Sequence, residues 1–165
     1  MYQLSVFVHV VAAIIWIGGM LFLALVVGPA SRRLPPAERG ALFSLVGRRF
    51  RTVGWICIAL LLVTGVANVA FRGFGWDAVT SGQLFGSEFG RVLAVKLVVI
   101  AIMLAFSAAH DFLIGPGSAA ARANPAGQRQ AVIARRRASW FGRANTALAL
   151  VVVALAVALV RGLPW

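Results

Sequence analysis

Residues 4–28 read LSVFVHVVAAIIWIGGMLFLALVVG, 25 positions with no charge and a single histidine. About 20 apolar residues in a helix cross a hydrocarbon core, so this run is long enough to span a bilayer. It predicts the first transmembrane helix. Met1-Tyr2-Gln3 supplies no basic leader and the apolar run exceeds the length of a signal peptide's core, so the segment is expected to stay in the mature chain. Three further runs share its character: Thr52 to Phe71, Val92 to Ile114 with Lys96 and His110 inside, and Ala144 to Val160 flanked by Trp140 and Phe141. The expectation is an all-α fold, a four-helix transmembrane bundle forming a single domain over 1–165.

Composition agrees with the spans. The chain is 61% hydrophobic and 12% charged, with a mean hydropathy of +0.92, whereas a soluble domain carries about a quarter of charged residues. A soluble surface is excluded, and so is disorder, which needs a shortage of apolar residues rather than an excess. One cysteine, Cys57, leaves no intramolecular disulfide and no cluster held by cysteines alone.

The net charge of +12 raises the question of nucleic acid until the charges are located. Between the first two spans, Pro29 to Arg51 carries Arg32, Arg33, Arg39, Arg48, Arg49 and Arg51 against Glu38. Between the last two, Gly115 to Arg143 carries Arg122, Arg129, Arg135, Arg136, Arg137 and Arg143 and no acid. The middle connection balances Arg72 and Arg91 against Asp77 and Glu88. Twelve of sixteen cations thus occupy two loops, which the positive-inside rule places in the cytoplasm, with both termini outside. The basic excess reads as orientation, its partners as anionic lipid headgroups, and no nucleic acid is expected.

Pro35-Pro36 opens a helix well, and Leu42, Phe43, Leu45 and Val46 lie among charges, so residues 35–49 are expected as a short helix on the cytoplasmic surface. The segment 73–90 mixes five glycines with Phe74, Trp76, Phe85 and Phe89 and reads as an interfacial loop able to lid an outward-facing site. Ala147, Ala154 and Ala158 share one face of the last helix and suit close helix approach. Each half of the chain repeats the order helix, basic loop, helix, a likeness of topology rather than of sequence.

Ionisable residues at bilayer depth mark function by default. Counted from the helix ends, His9 lies about 8 Å and Lys96 about 6 Å below the outer surface, with Asn68 at the same level. These three form an expected outer cluster. His110 lies about 21 Å below Lys96, so the two histidines cannot share an ion. Helical spacing puts His9, Trp16 and Met20 on one stripe, Cys57, Thr64 and Asn68 on a second, and Lys96, Met103, Ser107 and His110 on a third. Lipid cannot satisfy polar groups, so the stripes are expected to face one another.

Each residue also has a plainer reading. Lys96 can snorkel to headgroups, and His9 can hydrogen-bond a neighbouring carbonyl. Met20, Met103 and Cys57 serve as core filler, Trp16 packs, and Asp111 pairs with Arg143 as an interfacial anchor.

His9-Val10-Val11-Ala12-Ala13-Ile14-Ile15-Trp16-Ile17-Gly18-Gly19, Arg49-Phe50-Arg51 leading to Val63-Thr64-Gly65, and Phe89-Gly90-Arg91-Val92-Leu93-Ala94-Val95-Lys96-Leu97 resemble the copper resistance protein D (CopD-like) membrane family. The same segments are more distantly similar to the HemJ-type protoporphyrinogen oxidases. The first resemblance implies copper uptake or export across the inner membrane. The second implies a histidine of helix 1 and a lysine of helix 3 tied to haem or porphyrin, positions matched by His9 and Lys96. CopD proteins are usually about twice as long in helices, and this chain has three methionines, so a methionine-rich conduit is absent.

For copper the stripes offer His9, Met103, Met20, Cys57 and His110 as a sparse ladder of imidazole and soft donors. For haem b, His9 supplies an axial imidazole and Lys96 a partner for a propionate or a second ligand, with Asn68 beside them. On that reading Gly18 and Gly19 lie below the porphyrin, the alanines of helix 1 leave room for a flat ring, and any catalysis would be that of a haem-dependent membrane oxidoreductase. No catalytic residue is assigned. A third class is a small non-catalytic subunit of a membrane complex, as a homodimer or a larger assembly. Copper handling in the plasma membrane is the reading preferred.

Overall fold

The computed structural model describes residues 1–109 and 128–161. Four helices are long and apolar enough to cross a membrane: Tyr2–Arg33, Pro36–Phe71, Glu88–Ala108 and Trp140–Arg161. No strand occurs among the described residues. The outward surface of these helices is apolar, Phe7 being 64%, Val66 72% and Val160 76% exposed. Side chains of that kind belong in hydrocarbon. The chain is an all-α, multi-pass membrane protein, and it divides into two compact units, Met1–Leu84 and Phe85–Trp165.

In the first unit α1 (Tyr2–Phe22) does not stop where Pro29 leads one to expect. It passes through a π-helical turn, Leu23–Val27, a short helical turn, Gly28–Ala30, and a 3₁₀ turn, Ser31–Arg33. Proline lacks the N–H that the carbonyl four residues back requires, and its ring crowds that carbonyl. The wider turn just before it absorbs the misfit, and the Gly28 N–H reaches the Leu23 carbonyl. A Cβ on Gly28 would stand 3.2 Å from that oxygen, which is why glycine fits there.

The second helix, α2 (Pro36–Phe71), runs 36 residues without interruption. The separate surface helix expected over 35–49 is therefore corrected: its residues form the first turns of the membrane helix itself. Nothing between Arg49 and Thr52 breaks a helix, and continuing it keeps each N–H bonded where the chain enters lipid. At 1.5 Å per residue α2 is about 54 Å long against a core of about 30 Å, so it carries a basic stem beyond the hydrocarbon.

Gly73 follows α2 with φ of +87°, a left-handed geometry that ends the helix at little cost. The stretch beyond it is not the expected loop. It winds into α3 (Trp76–Thr80) and α4 (Gln83–Gly86), separated at Gly82 with φ of +75°, and Leu84 is buried.

In the second unit Ser87 caps α5 (Glu88–Ala108), its Oγ accepting from the Gly90 N–H at 3.0 Å. The last helix, α6 (Gln128–Arg161), starts well before the expected residue 144 and, like α2, extends its membrane span with a preceding stem. Phe106 meets Phe141 edge-on at 5.4 Å and Trp140 at 6.4 Å, and the Asn145 amide donates to Ser107 Oγ at 3.1 Å. That bond sets the rotation of α6. Asn145 and Ala149, one turn apart, are buried, whereas Ala147 and Ala154 are exposed, so the alanine face expected at 147, 154 and 158 is not the one that packs within this unit.

Candidate functional site

The two helices of the first unit pack by seating bulky side chains over glycines. Trp16 of α1 lies over Gly54 of α2, where a Cβ would stand 3.5 Å from the indole Nε1. Phe50 of α2 lies over Gly19 of α1 so closely that a Cβ there would run into the ring. His9 of α1 lies over Gly65 of α2, its Cε1 being 3.6 Å from the Cβ position. These three pairs fix the antiparallel register. The space beside Gly19 is filled by Phe50, whereas Gly18 faces open space.

That register brings His9 to Thr64. His9 Nδ1 and Thr64 Oγ1 are 2.8 Å apart. The Thr64 hydroxyl has one proton, and its 2.6 Å contact with the Leu60 carbonyl uses it. Toward His9 the hydroxyl can therefore only accept, so Nδ1 carries the hydrogen and the lone pair of the neutral ring lies on Nε2. Ser5 adds a second link, its Oγ donating to the Thr64 carbonyl at 3.5 Å. The ring lies over Gly65 at a distance that even a Cβ there would leave as ordinary contact. The result is an imidazole of fixed tautomer held at membrane depth, which is how protein structures hold a histidine that donates through its other nitrogen.

Asn68 follows Thr64 by one turn on the same face of α2, and its Oδ1 is shielded without a hydrogen-bond partner. Cys57 is 3% exposed and lies three residues from Gly54, on the stretch of α2 that packs against α1. Met20 is half-buried beside Gly19 on α1. In the second unit Lys96 is half-buried on α5, and Met103 is wholly buried. His110 and Asp111 lie outside the described residues, and with Asp111 any pairing to Arg143, which is exposed on α6. Among the described residues no three His, Cys, Asp or Glu side chains gather where they could hold one metal ion.

Sequence reading placed Thr64 on the stripe of Cys57 and Asn68 but did not join it to His9. The signal was available. Thr64 lies seven residues from Phe71 at the end of its helix, about 10 Å, close to the distance of His9 from the start of its own.

Residues 44–159 match the copper resistance protein D (CopD) family. The chain belongs to that family. An uncharacterized protein of Aquifex aeolicus (strain VF5) is 32% identical over 161 residues, covering 95% of this chain and 94% of its own length. No solved structure matches. The part of the CopD-family chain that matches holds Thr64, Gly65, Asn68 and Lys96, while His9 precedes it. The imidazole and its orienting hydroxyl therefore come from either side of that boundary.

Proposed function

We propose that this CopD-family protein handles copper ions in the inner membrane, with His9 Nε2 as an imidazole donor to the ion in passage. The observation that carries the reading is the hydrogen bond from His9 Nδ1–H to Thr64, which fixes the tautomer whose lone pair lies on Nε2. Cu(I) accepts few ligands and favours imidazole and sulfur. Cys57 and Met20 lie on the same helix pair at other levels, His9 and Met20 being about 16 Å apart along α1. Donors so spaced serve an ion one after another rather than enclosing it.

Nothing in the sequence resembles a phosphate-binding loop, so movement of the ion follows its gradient or a coupled one. The arginine-rich stems repel cations, which suits modest flux better than rapid import.

A Cu(I) competition titration of the purified, detergent-solubilised protein tests the reading. The expected result is that His9→Ala loses an equivalent of bound Cu(I) that the native chain holds. Unchanged stoichiometry and affinity in that variant would refute it, and a Soret band removed by His9→Ala would assign the imidazole to haem instead.

A further inference from the structure

Beside the π turn, the end of the first span and the start of α2 line a groove of about 430 Å³, with Phe22, Val26, Ala30, Leu34, Leu42 and Val46 among its walls. Ser31 lines it too, but its hydroxyl is turned to the Gly28 carbonyl at 2.8 Å and offers the groove no polar group. The volume is that of a small-molecule site, yet the walls provide nothing to orient a polar ligand or a metal ion.

The rim is different. Arg33 immediately precedes Leu34 in the chain, and Arg39 lies three residues before Leu42 on the same side of α2, at the start of that helix. Both are exposed, and among the described residues neither is ion-paired. Arg39 stacks on Phe43 at 5.9 Å, which leaves its guanidinium charge unneutralised. Across 29–51 six arginines face one acid, Glu38.

An apolar slot with a cationic rim, at the end of a membrane span, matches a molecule that is apolar along its length and anionic at one end. We propose that this groove binds one anionic phospholipid, an acyl chain occupying the groove and the phosphate lying by Arg33 and Arg39 at one end of it. The arginines alone would gather anionic lipid loosely. The groove makes it a site. A zwitterionic lipid fills the slot equally well but gains nothing net from the rim, so selection among lipids is by charge.

The test incubates the full-length protein with equal amounts of phosphatidylglycerol and phosphatidylcholine of identical acyl chains and reads retained lipid by native mass spectrometry. One phosphatidylglycerol per chain is expected in preference to phosphatidylcholine. Arg33→Gln and Arg39→Gln should each lower its retention about fivefold. Val46→Trp should fill the groove and abolish selective retention, as should Ala30→Leu from the facing wall. Leu45→Trp, on the exposed side of the same turn, should leave it intact. Native helicity and a monodisperse elution profile qualify each variant, and two groove-filling variants guard against one that fails to fold.

Equal retention of the two lipids would overturn the proposal, as would native retention in a folded Val46→Trp or Ala30→Leu. Complete displacement by inorganic phosphate would show that the arginines bind phosphate without the groove, and would also overturn it. Cu(I) titration of Val46→Trp should remain native, so this site and the His9 site fail or stand separately.

Discussion

Replacing Thr64 by valine should impair copper binding without touching the proposed ligand. Valine keeps the β-branched shape but removes the hydroxyl that accepts from His9 Nδ1 at 2.8 Å. The Nδ1–H is then left in a partly buried, apolar setting, a loss of about 1–3 kcal/mol for an unsatisfied donor. The ring can escape by rotating or by moving its proton to Nε2, and either change takes the lone pair away from its present direction. Losing the residue that orients a ligating histidine typically lowers metal affinity by about 10–100-fold. The expected series in Cu(I) competition titration is therefore native affinity, near-native affinity for Thr64→Ser, a drop of one to two orders of magnitude for Thr64→Val, and loss of the equivalent for His9→Ala. Gly65→Ala should stay near native, since its Cβ would meet His9 at an ordinary 3.6 Å. Native affinity in a folded Thr64→Val would refute the orienting role, and equal losses in the serine and valine variants would point to helix packing instead.

Gly19→Ala should destabilise the first unit by about 1–3 kcal/mol because Phe50 must move, whereas Gly18→Ala, with open space around it, should be close to neutral; reversible unfolding in mixed micelles measures both. In the second unit Met103→Ala should cost about 2–5 kcal/mol by leaving a cavity at a wholly buried position, and Met103→Leu less than about 1.5 kcal/mol, by the same unfolding measurement. Asn145→Leu should cost roughly 0.6–2 kcal/mol through loss of the Ser107 bond, and a double cycle with Ser107→Ala should show the two effects to be non-additive. On a background lacking Cys57, a cysteine at Ser81 should react with an impermeant maleimide on intact cells, and one at Glu38 only after permeabilisation; the reverse pattern would invert the orientation read from the arginines.

What could be read from sequence was whatever depends on neighbours along the chain. The four spans, the basic connections between them and the polar stripes followed from runs of apolar residues and from the helical period. Errors arose where one local signal met another. Pro29 and Pro35-Pro36 looked like ends and starts that would separate a surface helix from the membrane spans. The structure instead accommodates Pro29 in a π turn and begins α2 at Pro36 without a later break. The alanines of α6 were a sound packing motif, but small residues abound on that helix. The choice among its faces fell to Asn145, whose amide needs Ser107.

By itself, then, the sequence determined that this chain lives in lipid, how many helices are long and apolar enough to cross it, and that His9 and Lys96 are ionisable residues inside those apolar spans. A bilayer imposes those answers, because the cost of burying a charge or of leaving hydrocarbon short depends on composition and length alone. Tertiary structure decided which residue His9 meets. That depended on the register of α1 against α2, fixed by Trp16 over Gly54 and Phe50 over Gly19, contacts between residues more than thirty positions apart. Helical periodicity fixes the faces of a helix but not how far it slides along its neighbour. The fit of large side chains against glycines supplies that distance, and with it the hydroxyl that sets the tautomer of His9.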